Sequence, residues 1–182
     1  MMNYFEPLKI VQTAYVVPDL DQAIERWHAA FGLGPFVVNR HIPIKKALYR
    51  GTPTPLDISA AFVQSGDLQI ELLCQHNSEP SAFTDIYAKG QEGLHHVAVF
   101  PDDHDQLVRS LQARGFAIAT ELCFGQGLGA TFVDIRDLSG HMLEVYRDNG
   151  SLGMFYKLVA DAARNWDGRS LFVDVSELTH PG

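Results

Sequence analysis

Apolar and polar positions along this chain repeat one arrangement twice. Residues 10 to 21 read IVQTAYVVPDLD and residues 93 to 105 read GLHHVAVFPDDHD. Each segment is an apolar strand that stops at Pro-Asp and leads into an amphipathic helix. The first helix closes on Phe31-Gly32 and the second on Gly115-Phe116. In the first half, Pro18 ends the strand and Asp19 stands at the N-cap position. Leu20, Ile24, Trp27 and Phe31 then recur at helical spacing. Each half later carries an apolar strand with one carboxylate inside it: Gln69-Ile70-Glu71-Leu72-Leu73, and Met142-Leu143-Glu144-Val145-Tyr146. A repeat of this kind constrains the architecture before any single residue does.

Between these landmarks the pattern predicts further strands over 36–44, 57–64 and 68–75. The last two are joined by a Ser65-Gly66-Asp67 turn. Residues 47–55 read as a polar, Pro-rich connection, and 76–91 as a linker with one helical turn near Phe83. The second half gives a strand over 94–100, a helix from about Asp103 to Arg114, and strands near 117–122, 131–135 and 141–146. Phe124 to Gly129 reads as a Gly-rich loop lining a channel. The predicted fold is therefore α+β: two β-α-β-β-β modules, 8–76 and 92–147, pairing into a curved mixed sheet around a channel. They form one domain over 1–147. Residues 148–182 form a C-terminal helical extension, in which Met154, Phe155, Leu158, Val159, Ala162 and Trp166 make one apolar stripe. That stripe predicts packing on the outside of a sheet or against a second subunit, with 169–182 loosely held.

Composition narrows the function classes. With 46% hydrophobic and 20% charged residues, the chain has the make-up of a globular protein. A net charge of -8 and the absence of any basic run predict neither nucleic acid nor an anionic membrane as partner. No stretch approaches the roughly 20 apolar residues of a membrane span. The first ten residues have no apolar segment of the secretory kind. Two distant cysteines suggest neither a disulfide framework nor a Cys-rich zinc site. A cytoplasmic location is expected. No Gly-x-Ser-x-Gly elbow exists, and the glycines of 125–129 neither follow a first strand nor open a helix.

Four strands of the repeat carry polar side chains that look out of place in a core: Gln12, Glu71, His95 or His96, and Glu144. Such groups are affordable inside only if something satisfies them. The strand-Pro-Asp-Leu-Asp turn at 15–21, Leu68-Gln69-Ile70-Glu71-Leu72, Gly93-Leu94-His95-His96-Val97-Ala98 and Asp137-Leu138-Ser139-Gly140-His141-Met142-Leu143-Glu144 follow one another in this order. Together they resemble the vicinal-oxygen-chelate superfamily, which includes glyoxalase I, methylmalonyl-CoA epimerase, extradiol dioxygenases and bleomycin-resistance proteins.

The resemblance implies four metal ligands, one per strand: Gln12, Glu71, His96 and Glu144. An ungapped repeat would instead align Gln12 with His95. The family's spacing to the following Asp, read here as Gln12 to Asp19 and His96 to Asp102, favours His96, with His95 on the opposite face of the strand. Gln12 departs from the His most catalytic relatives carry. One amide, one imidazole and two carboxylates suit a divalent ion such as Ni, Co, Mn, Mg or Zn, the tetrahedral zinc pattern being the least typical. The implied function is a metal-dependent lyase or isomerase that abstracts a proton next to a chelated carbonyl. Glu144 is the base, and the protein is a homodimer acting on a small molecule. The alternative is a non-catalytic sequestering protein of the bleomycin-resistance type. Arg50, Tyr15, Tyr49, His76 and Gln126 are further candidates for the channel lining.

Overall fold

Strand alternation sets the two faces of this protein. The computed structural model describes residues 7–179. In β6 (Leu68–Gln75), Gln69, Glu71 and Leu73 point to one side, while Ile70, Leu72 and Cys74 pack with the first helix. Both faces of the strand are covered, which is why its sequence is apolar almost throughout.

The first half contains β1 (Ile10–Val16), α1 (Leu20–Phe31), β2 (Phe36–Asn39), β3 (Lys46–Tyr49), β4 (Thr52–Pro53), β5 (Ile58–Ser65) and β6. A short α2 (Ala82–Ile86) leads to the second half: β7 (Gly93–Val99), α3 (His104–Ala113), β8 (Ala117–Gly125), β9 (Leu128–Asp134), α4 (Arg136–Ser139) and β10 (Met142–Arg147). After these come α5 (Ser151–Arg164), β11 (Phe172–Asp174) and α6 (Val175–Thr179).

Eleven strands join in one mixed, unclosed sheet of order β11-β2-β5-β6-β1-β7-β10-β9-β8-β3-β4. The repeat is visible in that order. β1 runs parallel to β6, and β7 runs parallel to β10. β1 and β7 meet antiparallel at the centre. The carboxylate strand of each half thus flanks the first strand of the same half.

Both helix starts are capped by an aspartate, the first at Asp19 as the sequence predicts. The Asp19 side chain accepts from the Gln22 N–H, and the Asp103 side chain accepts from the Gln106 N–H. Gly32 closes α1 in the left-handed region, at φ 67°. α1 packs over Val38, Val63 and Leu72, and α3 over Val133, Leu143 and Val145. These two layers hold the convex side. The concave side has its own core, around Phe83, Phe132, Met142 and Tyr146.

Several expectations need correction. The 36–44 strand ends at Asn39, and β3 arises instead within the region read as a connection. β3 pairs with β8 of the other half, Ala47 opposite Leu122 and Tyr49 opposite Thr120. Residues 124–129 reach the cavity through Phe124 and Leu128 but form no long loop. β8 and β9 continue through them, leaving a tight turn at Gln126-Gly127 with Gln126 at φ 53°. Residues 172–174 are not loosely held, because β11 pairs parallel with β2 at the sheet edge. Helix α5 packs across the concave mouth against β5 of its own chain, with Phe155 edge-on to Phe62 at 4.9 Å. The Trp166 ring beyond it lies over Gly34, where even a Cβ would come within 2.6 Å of the indole. Only glycine allows that approach.

Candidate functional site

Two alanines make the site possible. Across the central strands, Ala14 pairs with Glu71 on one side and with His96 on the other. Ala98 likewise lies between Gln12 and Glu144. Paired residues of neighbouring strands share a face, so all these side chains point to the concave side. Ala14 and Ala98 are fully buried and short, so the long polar side chains beside them can converge.

Glu71, His96 and Glu144 do converge. Their ligand-type atoms lie within 4.8 Å of one another, and all three residues are buried. His96 Nε2 is 3.0 Å from Glu144 Oε2 and 3.4 Å from Glu71 Oε2. Yet neither His96 Nε2 nor Glu144 Oε2 has a hydrogen-bond partner. The contact is close but misaligned: the ring nitrogen does not aim along a hydrogen bond at either carboxylate. Burial alone would lower the His96 pKa. The charge of Glu144, followed by Glu71, outweighs it and raises His96 to about 9. Glu71 is itself raised, chiefly by burial; His96 opposes the shift and Glu144 adds to it.

His95 fixes the ring of His96. His95 Nε2 sits 2.9 Å from the Ala82 carbonyl, so it must be the donor. Burial and the neighbouring His96 hold the His95 pKa down, at about 3, so that ring is neutral and its Nδ1 is an acceptor. His96 Nδ1–H then donates to His95 Nδ1 across 2.9 Å. This leaves His96 Nε2 to face the two carboxylates. Three electron-rich atoms share one buried point, which only a proton or a cation can reconcile.

The expectation for the two histidines is thus corrected in one respect. His96 faces Glu144, as the spacing suggested, but His95 does not turn to the opposite face. It packs against Phe83 and Phe132 of the concave core. A β-bulge is the cause: Tyr15 pairs with Leu94 and Ala14 with His96, which leaves His95 as the extra residue. The second helix is capped by Asp103, the residue after the Asp102 used for spacing, so Gln12 and His96 each precede their capping Asp by the same interval.

Gln12 lies on this face, fully buried, in a second network. Its amide Nε2–H donates to Gln69 Oε1 (2.7 Å), and its Oε1 accepts from the Tyr146 hydroxyl (3.0 Å). The Tyr156 hydroxyl of α5 reaches that of Tyr146 at 3.5 Å. Burial drives both phenols upward in pKa, so they act as neutral donors. Tyr146, Tyr156 and Gln69 are site residues the sequence reading passed over. Period-2 alternation from Glu144 was the available signal for Tyr146; Tyr156 had none.

Above these groups lies a cavity of about 430 Å³, floored by Glu71 and Glu144 and walled by residues such as Phe62, Leu122, Phe132 and Phe155. None of the other lining candidates reaches it. Arg50 pairs with Asp85 (2.7 Å) and Asp134 (3.4 Å), and Tyr49 donates to Asp85. Tyr15 packs edge-on to Trp27. His76 forms a hydrogen bond with Ser59 at 2.7 Å, and Gln126 occupies its turn. A second metal-capable group among the described residues is His41, Asp57 and His76. His41 is already bonded to Asp57 at 2.8 Å and stacked on His76, and both His41 and Asp57 are open to solvent. No helix among the described residues is long and apolar enough to cross a membrane.

Comparisons with known proteins agree with this layout. Residues 11–132 match the family model described as the glyoxalase/bleomycin resistance protein/dioxygenase superfamily. No curated protein matches the chain. A hypothetical protein from Bacillus halodurans superposes with a TM-score of 0.58 at 16% identity, over 79% of this chain and 96% of that one. Methylmalonyl-CoA epimerase from Mycobacterium tuberculosis gives 0.52 at 18% identity, over 84% and 97%. Streptomyces coelicolor methylmalonyl-CoA epimerase in complex with 2-nitronate-propionyl-CoA gives 0.51 at 20%, over 80% and 100%. Likeness at these identities is a likeness of fold.

Proposed function

Because this chain belongs to the glyoxalase/bleomycin resistance protein/dioxygenase superfamily, we propose that Glu71, His96 and Glu144 hold a divalent metal ion and that the protein is a lyase or isomerase. The observation that carries this reading is the buried His96 Nε2, unpartnered and facing two carboxylates. The donor set fits a cation on chemistry as well. One neutral imidazole and two carboxylates offset a 2+ charge, and Ni, Co, Mn, Mg and Zn all accept this mixture. Gln12 is the fourth donor. Its amide oxygen has two lone pairs, and Tyr146 takes one.

A bound ion would supply Lewis-acid polarisation of a substrate carbonyl. The remaining work falls to the chain. Glu144 accepts the proton from the carbon next to that carbonyl and returns it. Glu71 and His96 hold their positions, His96 through its bond to His95. The phenols of Tyr146 and Tyr156 offer neutral donors beside the floor. Apolar walls keep bulk water from the abstracted proton.

A second reading, a sequestering protein of the bleomycin-resistance type, draws support from the predominantly apolar walls and from Gln12, whose amide is already engaged on both sides. It leaves the two buried carboxylates without a task. The discriminating experiment has two arms. Metal content is measured on protein purified without chelator. Solvent deuterium incorporation is followed in α-hydroxyketone hemithioacetals and 2-methylacyl thioesters, with each metal added in turn. The enzyme reading expects bound metal, exchange in the wild type, and loss of exchange with retained metal in Glu144→Gln, since an amide cannot take the proton. Neither bound metal nor exchange would hand the site to the sequestering reading. Assembly as a homodimer is part of this proposal and is tested by light scattering at micromolar concentration.

A further inference from the structure

The cavity above the carboxylates has a chemical character of its own. Its walls come from both halves of the sheet and from α5: Phe62, Leu73, Leu122 and Phe132 from strands, Leu152 and Phe155 from the helix. Its polar lining consists of Glu71, Glu144, two tyrosine hydroxyls, Asn39 and Ser151. Among the described residues no lysine or arginine lines it, and the only carboxylates that do are the two of the floor. Lys45 and Lys46 open on a different groove, with Pro53, Asp57 and Asn77. Arg50 is committed to Asp85 and Asp134. At about 430 Å³, the cavity falls near the lower end of the ~300–1,000 Å³ range of small-molecule sites.

We infer that this site takes a compact, uncharged, largely apolar or aromatic molecule with two adjacent oxygens, and that α5 is the wall that excludes anionic substrates. The inference rests on the metal-chelate reading for the role of the two oxygens. The rest follows from the lining. A carboxylate or phosphate placed anywhere but on the ion would be stripped of water with no cation to meet it. Two floor carboxylates already offset the ion's 2+ charge, so the loaded site keeps no net positive charge with which to hold a further anion. The apolar walls favour rings and alkyl chains instead, and Phe62 and Phe155, edge-on at 4.9 Å, line the cavity with two mutually perpendicular rings. Residues 151–164 lie beyond the residues 11–132 that the family model matches. The inferred ligand class differs from the coenzyme A ligand named for the Streptomyces coelicolor epimerase of similar fold.

The test uses matched probes on the full chain. Binding of 2-hydroxyacetophenone is compared calorimetrically with binding of its 4-carboxy counterpart and of a 2-methylacyl-coenzyme A thioester, in protein loaded with Ni or Co and in protein treated with chelator. The neutral ketone should bind at least tenfold more tightly than either anionic probe in the loaded protein. Leu152→Arg, which puts a cation on the α5 wall, should reduce or reverse that preference; Ser151→Arg takes its place if the first variant shows a lowered Tm. Equal or tighter binding of an anionic probe by the wild type would overturn the inference, and so would failure of the neutral ketone to bind. Protein that binds no metal yet keeps the preference for the neutral probe would sink the chelate reading and leave the ligand class standing. Bound metal with no such preference would do the reverse.

Discussion

His95 Nδ1 and His96 Nδ1, on adjacent residues of one strand, lie 2.9 Å apart and share a single proton. The Ala82 carbonyl at the far end of His95 decides which ring donates. A backbone oxygen on a short connecting helix therefore sets the tautomer of a buried candidate ligand two residue contacts away. His95→Phe keeps the ring volume and its contacts with Phe83 and Phe132 but removes the acceptor. Metal affinity should fall ~10–100-fold, as for other lost supports of a ligating histidine. Competition with a chelating dye measures it, and unchanged affinity would show that His96 needs no such support.

Ala14 stands between Glu71 and His96, fully buried. Ala14→Leu should fill the space where those side chains meet, at a cost of ~1–3 kcal/mol from overpacking. Bound metal should be lost while the secondary structure persists. Circular dichroism and metal analysis on the same sample decide the matter; full metal content would mean the ligands meet elsewhere.

Gln12→His puts a nitrogen donor on the strand that now carries an amide. Affinity for Ni, Co or Zn should rise, because imidazole is the better donor for later transition ions, while Mg affinity should not. The same change breaks the bond to Gln69. Titration with the four metals separates the two effects, and a uniform drop across all of them would indicate that the amide network matters more than the donor.

Trp166 pins the far end of the α5 segment over Gly34, with His28 edge-on at 5.6 Å. Trp166→Ala should destabilise the protein by ~1–3 kcal/mol, less than a fully buried tryptophan, since this ring keeps some solvent contact. Gly34→Val should act similarly by pushing the ring away. Amide hydrogen exchange over 151–164 should quicken in both variants, while exchange in β1 and β7 stays slow. Exchange in α5 unaltered by either change would mean that Phe155 and its neighbours hold the helix alone.

Asp134 accepts from Arg136 and faces Arg50, which together hold its carboxyl down at about 2. A carboxyl depressed in the folded state stabilises it at pH values above the unfolded pKa of ~3.9, and that contribution is lost as pH falls through about 2. Asp134→Asn should therefore cost ~1–2 kcal/mol at pH 7, a figure reduced for partial solvent screening. It should cost almost nothing at pH 2. Urea unfolding at both pH values checks the difference; an equal cost at both would point to lost hydrogen bonding rather than charge.

Much of this was legible in the chain because the information was local. The Pro-Asp stops, the capping Asp19 and the carboxylates in apolar strands mark the repeat, and the repeat places Gln12, Glu71, His96 and Glu144 on one face. His95 was misplaced because strict alternation ignores bulges, and a bulge depends on the partner strand, here the pairing of Ala14 and Tyr15 with β7. Strands β3 and β11 escaped because Lys46–Tyr49 and Phe172–Asp174 are short segments near the ends of the sheet whose conformation comes from a distant neighbour. The apolar stripe of α5 was readable, but not its target. An amphipathic helix shows which face it buries and says nothing of what lies opposite.

The two edges of the sheet carry a consequence for how the chain comes apart. β3 and β4, from the first half, finish the edge of the second, β3 pairing on β8, while β11, which follows the second half, finishes the edge of the first on β2. Each repeat is fastened by a stretch of chain belonging to the other's side of the sequence. Neither half can melt without baring hydrogen bonds in its twin, so the two repeats come apart as a single cooperative unit.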